Sequence, residues 1–515
     1  MTGIRLLAAA CILHLVLILP TAPMAAPDAL LRIAPELPLI LLALSVLGRP
    51  GRILAVLALF LLAAQKTADL AMIAALGRPF NALADMALIG AGAELLGDTV
   101  GTARLAAGTA AVLVAAMAVL GLLWWACGVW SGWRPWSRGR LGLAALAALS
   151  LTAAGSGQIW SGNTPYVRAR AELLGRTAQD LRQIRTLAAR DDLAGATGLL
   201  SAIDRDVLVV FVESYGRASF DVPFHAGRHL DTLRGAQRRL ADAGLAMRSG
   251  FLTAPTQGGQ SWLSHATFAN GLWVADQARY GAVLASGRQG LFHHARRAGF
   301  RTAAVMPAIA RPWPEAATMG FDRILAAADL GYRGLPFNWV TMPDQFTLAA
   351  MDRLLRDTDG PHLFAQVALI SSHAPWVPVP RLLPWGDLGN GTVFDTMARA
   401  GDPPEVVWRD RDRVRAAYRE AVDYSLRVVM DYALIHAGDP PLMIVLGDHQ
   451  PTPWVAGNDR PDVAIHLIGP AHLVDRAADW GLSPGLIPPA GNPALSMDRM
   501  RDLILRGFGG RVPQT

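Results

Sequence analysis

Apolar segments long enough to cross a membrane crowd the first third of this chain. Five of them approach the roughly 20 residues that a membrane-spanning helix needs, and they lie at residues 6–19, 29–47, 53–76, 105–130 and 141–154. With 515 residues, of which 52% are hydrophobic, the chain is too long and too apolar for one soluble domain. We therefore predict a transmembrane domain with five helices at residues 1–158. Lys66 and Asp69 interrupt the third helix and must face other helices or an interface.

Arginine placement predicts the orientation of these helices. Short loops rich in Lys and Arg stay in the cytoplasm, and two predicted loops carry Arg49, Arg52, Arg134, Arg138 and Arg140. Five spans then place everything after about residue 155 outside. Because arginine carries nearly all the positive charge, we expect a bacterial protein of the inner membrane, multi-pass, with a periplasmic, extracytoplasmic C-terminal part. A signal peptide in place of the first span is the alternative, because Arg5 precedes its apolar core.

Charge and cysteine content exclude other classes of protein. The net charge of +6 would suit nucleic acid, but the basic residues are spread along the chain and form no nucleic-acid motif. Cys11 and Cys127 both lie in predicted spans. The exported part therefore has no disulfide, thiol nucleophile or zinc finger, and it must rest on its hydrophobic core.

Strand-like and helical runs alternate after residue 204. The strand-like runs are 206–212, 302–306, 363–370, 442–446 and 463–468, and the helical runs are 230–243, 345–355, 414–437 and 497–506. This alternation predicts an α/β domain, a mostly parallel sheet flanked by helices. A helical pattern also precedes residue 203. We therefore predict a helical linker at 159–203 and an extracytoplasmic catalytic domain at 204–515.

Two of the strand-like runs end at residues that can hold a metal ion. The first is followed by Glu213, and the run 442–446 is followed by Gly447, Asp448 and His449. Open α/β sheets place their chemistry at the carboxyl ends of their strands. The carboxylate and the Asp-His pair can therefore converge on one cation. Taken alone, Glu213 is equally compatible with a solvated strand end.

Hydroxyl and imidazole groups follow two other runs. Ser261 comes after a Gly-rich stretch and opens an apolar helix, where the helix amino terminus would stabilise an alkoxide and a phosphoryl group. A simple N-cap role is the alternative for Ser261, and Ser264 and Thr267 are rival nucleophiles. His373 follows the run 363–370 and could donate to a phosphate oxygen or a leaving alcohol, or could be a surface histidine.

Together these residues resemble the alkaline phosphatase and sulfatase superfamily, and within it the membrane-anchored lipoteichoic acid synthase-like phosphoglycerol transferases. The resemblance implies an alkaline phosphatase/sulfatase-like fold with one divalent metal ion, Mn or Mg, with Zn as an alternative. It implies metal ligation by the set Glu213, Ser261, Asp448 and His449. It also implies that Ser261 is the nucleophile and that His373 binds substrate. Arg311 or Trp313 falls near the position where synthases contact the glycerophosphate group.

Departures from the family patterns bear on the substrate. The synthases use threonine where this chain has Ser261, which keeps the oxygen nucleophile. Sulfatases need Cys-x-Pro-x-Arg or its serine equivalent, and the sequence after Ser261 lacks both the Pro and the Arg. Phosphoethanolamine transferases typically carry disulfides in the exported domain, and this domain has no cysteine.

These observations predict a transferase that moves a phosphoglycerol-type group through a serine-linked intermediate. The expected donor is an anionic phospholipid, and the expected acceptor is an alcohol of an extracytoplasmic glycan or glycolipid. A phosphoethanolamine transferase and a phosphodiesterase- or sulfatase-type hydrolase with the same site are the alternatives. A non-catalytic membrane binding protein is a further alternative from another class.

Overall fold

The structure is a computed structural model. It describes residues 2–21, 34–76, 78–86, 89–90, 92–93, 101–133, 137–155, 162–310, 313–358 and 360–510. The chain divides into two compact units, Met1–Leu181 and Arg182–Thr515. Part of the segment 77–102, whose role the sequence does not decide, lies outside the described residues.

Long helices build the first unit. They are α1 Thr2–Leu17, α2 Glu36–Leu76, α3 Thr102–Gly132, α4 Ser137–Gly155 and the part of α5 Asn163–Ala189 that precedes Arg182. Helix α2 is kinked at Gly48, whose φ of 61° is not helical, and Pro50 follows within the same helix. Pro50 has no N–H to donate, so the kink divides α2 into two arms that match the second and third predicted spans.

Two helices of the described chain are clearly long and apolar enough to cross a membrane. They span Glu36–Ala74 and Thr102–Gly132, and Gly3–Leu17 is a shorter apolar helix. The count of five spans is therefore supported only in part. Helix α2 holds two predicted spans in one helix, and the first turn of α4 contains the charged residues Arg138 and Arg140. Large apolar side chains on these helices are exposed, among them Leu54, Leu57, Val112, Leu113, Val114, Met117 and Leu149.

A nine-stranded sheet forms the centre of the second unit. Its strands are β1 Val207–Val212, β2 Ala246–Thr253, β3 Arg301–Met306, β4 Arg323–Ala326, β5 Leu363–Leu369, β6 Leu442–Gly447, β7 Asp462–Gly469, β8 Ser483–Pro484 and β9 Ala494–Ser496. Their order is β4-β3-β5-β1-β6-β7-β2-β8, and β9 pairs with β2. The first five strands in this order are parallel, but β7 runs antiparallel to both β6 and β2. The sheet is thus mixed, and the prediction of a mostly parallel sheet holds for only part of it.

Helices cover both faces of this sheet, as predicted. They are α6 Ala218–Asp221, α7 Pro223–Asp242, α8 Ser261–Asn270, α9 Gln277–Leu284, α10 Leu291–Arg297, α11 Asp344–Met351, α12 Asp395–Ala398, α13 Pro404–Val407, α14 Arg411–Ile435, α15 Pro453–Ala456, α16 Ala471–Val474 and α17 Met500–Gly507. Alternate residues of β1 enter two hydrophobic cores: Val210 lies in the core with α7 and α14, and Val209 in the core with α10 and α17. A strand buried on both faces explains the continuous apolar run of β1.

Candidate metal centre and nucleophile

The pairing of β1 with β6 determines where the candidate ligands lie. These strands are adjacent and parallel, and their register places Val212 opposite Gly447. Glu213 and Asp448, one residue further along each strand, therefore emerge side by side at the carboxyl edge of the sheet. Strand β5 lies on the other side of β1, with Leu369 opposite Val212, and brings the segment that contains His373 to the same edge.

Glu213, Asp448 and His449 converge in a buried cluster. Each offers one ligand atom, and these atoms lie within 4.8 Å of one another. Nε2 of His449 is 3.1 Å from Oε1 of Glu213 and 4.0 Å from Oδ2 of Asp448. Although the first distance is short, the geometry is not that of a hydrogen bond, and Nε2 of His449 has no hydrogen-bond partner among the described residues. Such an atom, held against two carboxylates, suits a bound cation.

Unusual backbone geometry permits this convergence. A side chain at Gly447 would overlap the carbonyl oxygen of Tyr215, so only glycine lets the two strand ends approach this closely. Ser214 adopts a left-handed conformation with φ of 58°. Its backbone N–H donates to Oδ1 of Asp448 over 2.8 Å, and its hydroxyl donates to Oε1 of Glu213 over 2.9 Å. Ser214 thereby orients both candidate carboxylates.

The electrostatics of the cluster reflect two acids crowded around one imidazole. Burial alone would raise the pKa of Glu213, but the charges of His449 and His373, together with hydrogen bonding, outweigh it and hold that pKa below its usual value. Burial, together with the charge of Glu213, raises the pKa of Asp448 to about 7. Burial would lower the pKa of His449, but the carboxylates of Asp448 and Glu213 raise it to about 9. Without a cation, the cluster therefore holds protons that offset part of its negative charge. A bound cation would offset the same charge in their place.

The Gly-rich stretch before α8 delivers Ser261 to this cluster. Gly258, Gly259 and Gln260 all have positive φ, at 75°, 141° and 65°. The backbone N–H of Gly258 donates to the carbonyl of Gln450 over 2.7 Å, which ties this turn to the segment after β6. Ser261 is the first residue of α8, and its hydroxyl donates to Oε2 of Glu213 over 3.1 Å.

The alternative roles for Ser261, Ser264 and Thr267 fit the structure less well than Ser261 as the nucleophile. Gln260, not Ser261, occupies the N-cap position of α8, so the N-cap interpretation of Ser261 is wrong. Ser264 is fully buried, with its hydroxyl 3.4 Å from that of Thr256. The hydroxyl of Thr267 donates to the carbonyl of Leu263 and accepts from a backbone N–H. Neither of these hydroxyls hydrogen-bonds to the metal-ligand cluster in the described residues.

The structure says less about the predicted substrate-binding residues than about the candidate metal ligands. His373 is half-buried, its ring stacks on Trp339 with centroids 5.9 Å apart, and its charge helps to lower the pKa of Glu213. Trp313 lines a small cavity of about 30 Å³ beside α8, together with His265 and Gln366. Arg311 lies outside the described residues. The roles assigned to His373, Arg311 and Trp313 remain predictions.

Several residues at the site are not among those that the sequence predicts. Gln450 is buried; its side chain accepts from the backbone N–H of Ala218, while its backbone carbonyl accepts from the Gly-rich turn. Ser372 donates to the backbone carbonyl of Glu213 over 2.6 Å. His265, assigned only a core or surface role from the sequence, is buried with both ring nitrogens unpartnered among the described residues. Of these residues, only Gln450 could have been noticed in the sequence, because it is a polar residue directly after the predicted ligand His449.

One known protein family matches part of this chain. Residues 205–455 match the family model described as Sulfatase. This region of the chain is therefore similar to a Sulfatase domain. The matched range includes every candidate site residue, from Glu213 to His449. No curated protein sequence matches the chain.

Solved structures similar to this chain share little of its sequence. The lipooligosaccharide phosphoethanolamine transferase A of Neisseria meningitidis, an integral membrane protein, is 14% identical over 98% of this chain and 95% of its own, with a TM-score of 0.46. The lipoteichoic acid synthase LtaP of Listeria monocytogenes is 13% identical over 62% and 81%, with a TM-score of 0.37. The phosphoglycerol transferase GacH of Streptococcus pyogenes, in complex with sn-glycerol-1-phosphate, is 13% identical over 56% and 74%, with a TM-score of 0.34.

Proposed function

We propose that this protein is a metal-dependent phosphotransferase that uses Ser261 as its nucleophile. The observation that carries the proposal is the Ser261 hydroxyl, which lies at the start of α8 and 3.1 Å from Oε2 of Glu213, beside the cluster completed by Asp448 and His449. The transferred group is of the phosphoglycerol type, the donor is an anionic phospholipid, and the acceptor is an alcohol on an extracytoplasmic glycan or glycolipid.

The donor set fits a divalent cation. Members of the alkaline phosphatase superfamily use such ions, and here two carboxylates and one imidazole converge with a hydroxyl as the fourth group. Oxygen ligands with one imidazole suit Mn or Mg, with Zn as an alternative. When bound, the cation would lower the pKa of the Ser261 hydroxyl and neutralise charge on the phosphoryl oxygens.

The residues of this chain then have separate tasks. Glu213 accepts the hydrogen bond of the Ser261 hydroxyl, which orients its oxygen for attack on phosphorus and draws its proton away. As the bond from Ser261 to phosphorus forms, the bond to the diacylglycerol oxygen breaks, and His373 donates a proton to that oxygen. An acceptor alcohol then attacks the phosphorus and gives its proton to His373, while the oxygen of Ser261 leaves and regains its proton from Glu213, which predicts ping-pong kinetics.

A membrane location completes the proposal. Large exposed apolar side chains cover helices of the first unit, and such a surface is stable against lipid rather than water. Two helices of that unit are long enough to span a bilayer. The arginine pattern places the second unit on the periplasmic side of the inner membrane, where a lipid donor and a glycan acceptor meet.

Intact-protein mass spectrometry tests the nucleophile and the donor together. The full-length protein in detergent is incubated with phosphatidylglycerol and Mn²⁺, in parallel with Ser261→Ala and with the rival-site control Ser264→Ala. We expect wild type and Ser264→Ala to gain a phosphoglycerol mass and release diacylglycerol, and Ser261→Ala to do neither.

Other outcomes separate the alternatives. Steady metal-dependent release of glycerol phosphate without an adduct or a product on added sugar would indicate a hydrolase. An adduct from phosphatidylethanolamine but not from phosphatidylglycerol would replace the donor and keep the nucleophile. An adduct on Ser261→Ala would contradict the assignment of Ser261.

A further inference from the structure

A large cavity in the first unit has no part in the chemistry described above. Its volume is about 640 Å³, within the range of about 300–1,000 Å³ that small-molecule sites occupy. Its walls come from α1, α2 and α5, and they include the aliphatic Ile40, Ala58 and Leu62 as well as Glu36, Tyr166 and Arg170. The lining is therefore amphipathic, with both charged and aliphatic side chains.

The kink in α2 accounts for the apolar part of this cavity. Ile40 precedes the kink at Gly48, whereas Ala55 and Leu62 follow it, so both arms of one helix contribute to the wall. A straight helix would not turn its two arms around a common space. The aliphatic lining is suited to an acyl chain rather than to a polar metabolite.

The polar part of the cavity contains one acidic and one basic side chain. Glu36 accepts hydrogen bonds of 3.2 Å from Nδ2 of Asn163 and 3.3 Å from the N–H of Thr164, and its charge interacts with that of Lys66. Arg170 lies with its Nε 3.2 Å from Oδ2 of Asp69, and its guanidinium is 5.2 Å from the ring centre of Tyr166.

The carboxylate of Asp69 has few hydrogen-bond acceptor sites left for Arg170. It already accepts hydrogen bonds from Nε2 of Gln65 at 3.1 Å, from the N–H of Phe80 at 2.9 Å and from the hydroxyl of Tyr166 at 2.6 Å. The buried Nε of Arg170 has no hydrogen-bond partner among the described residues, and Arg170 lines the cavity. A phosphate would supply the acceptors that Asp69 does not.

The charges of the described side chains around the cavity sum to zero. Glu36 and Asp69 are negative, Arg170 is positive, and Lys66 is positive and donates to Asn163 Oδ1 over 2.8 Å. A ligand that is neutral overall keeps this balance, whereas an anionic head group would add an uncompensated charge in a setting of low dielectric. A ligand with one charge of each sign can also satisfy Arg170 and Glu36 simultaneously.

We propose that this cavity is a binding site for one zwitterionic phospholipid. Its phosphate lies against Arg170, its ammonium group faces Glu36, and one acyl chain follows Ile40, Ala55 and Leu62. The site is independent of the transfer chemistry at Ser261, and it is not assigned as the donor site.

Lipid binding to the full-length protein tests this proposal. Wild type and variants are reconstituted in nanodiscs with equal parts of phosphatidylethanolamine and phosphatidylglycerol, extracted into detergent, and examined by native mass spectrometry for retained lipid. We expect wild type to retain phosphatidylethanolamine in preference to phosphatidylglycerol. Ala58→Trp, which fills the cavity, should reduce retention by about tenfold, whereas Ala64→Trp on the same helix outside the lining should not.

Charge variants separate this site from the lipid annulus. Arg170→Gln should weaken retention by about tenfold, whereas Arg168→Gln, at an exposed position two residues away, should leave it unchanged. Glu36→Gln should reverse the preference toward phosphatidylglycerol, because the polar end then carries a net positive charge. Ser261→Ala should retain lipid as wild type does, whatever its effect on turnover.

Two results would overturn the proposal. Equal retention by Ala58→Trp and Ala64→Trp would show that the retained molecules are annular lipid only. A wild-type preference for phosphatidylglycerol that Glu36→Gln does not change would show that the charges of the cavity do not select the lipid.

Discussion

The polar centres of the two units differ in how their charges are balanced. In the first unit, Lys66 and Arg170 offset Glu36 and Asp69, and Asp69 accepts three hydrogen bonds besides its ion pair. In the second unit, two carboxylates meet a single imidazole whose Nε2 has no hydrogen-bond partner among the described residues. The charges of the described residues balance in the first centre, whereas the second centre has more acidic than basic groups.

This difference separates structural ionic networks from candidate catalytic sites. A balanced buried network stabilises the fold only while all its members remain, because removing one partner leaves another charge buried and unpaired. A cluster with excess negative charge destabilises the fold until a cation binds. Changes at the two centres should therefore have opposite effects on stability and unequal effects on turnover.

The largest expected effect is on turnover. Ser261→Ala should lower the rate of transfer by on the order of 10³-fold or more, because the bond to phosphorus can no longer form at this position. Ser264→Ala, three residues away on the same helix, should leave the rate within about threefold. The assay is diacylglycerol release from a phospholipid by the detergent-solubilised protein. Comparable losses in both variants would indicate damage to α8 rather than loss of a nucleophile.

Matched neutralisation of one aspartate in each unit tests the comparison of charge balance. Asp69→Asn should lower the free energy of unfolding by about 2–4 kcal/mol, because Arg170 loses its counter-charge. Asp448→Asn should leave the metal-free protein as stable as wild type, or up to about 1 kcal/mol more stable, because it removes one of two crowded negative charges. The readout is the unfolding midpoint with chelator present. A large loss in Asp448→Asn would mean that the cluster of Glu213, Asp448 and His449 is already balanced without metal.

Metal should stabilise the protein through the second centre only. Mn²⁺ at about 100 times its dissociation constant should add about 2.7 kcal/mol to the free energy of unfolding of wild type. Asp69→Asn should show the same gain, and Asp448→Asn should show little of it. Thermal unfolding with and without Mn²⁺ measures both. Equal gains in all three proteins would place the metal elsewhere.

Buried histidines of the second unit should make it sensitive to acid. Burial lowers the pKa of His225 and His229 to about 4 and that of His466 to about 3, against 6.5 for the exposed group. Between pH 6.5 and these values the unfolded chain binds more protons than the folded chain, so stability falls as the pH falls. Each histidine contributes at most about 1.4 kcal/mol per pH unit. His466→Gln should flatten the dependence of the unfolding midpoint on pH between 6.5 and 5, and His472→Gln, at an exposed residue, should not.

Strand ends and apolar periodicity could be predicted from the sequence because they depend on residues that are close together in the chain. The strand 206–212 was predicted almost as it occurs, and Glu213, Asp448 and His449 were predicted to converge, because parallel strands bring successive carboxyl ends to one edge. Strand β2 was missed, since Arg248, Ser249 and Gly250 interrupt its apolar residues. Its antiparallel pairing with β7 is what makes the sheet mixed.

Contacts between distant segments could not be predicted. Nothing local in the sequence indicates that Ser214 adopts positive φ and donates to Asp448, or that Gln450 ties the Gly-rich turn to the end of β6. The same holds for Asp69 and Arg170, which lie in different helices and pair across the first unit. Such contacts depend on the tertiary fold rather than on residue spacing.

Metal content tests the central claim most directly. Wild type, Ser261→Ala, Asp69→Asn and Asp448→Asn are purified in detergent, loaded with Mn²⁺, separated from free metal and analysed by elemental mass spectrometry. The account predicts one Mn²⁺ per chain in wild type and Asp69→Asn, near-stoichiometric metal in Ser261→Ala, and almost none in Asp448→Asn. Equal metal in wild type and Asp448→Asn, or none in wild type, would contradict a metal centre formed by Glu213, Asp448 and His449.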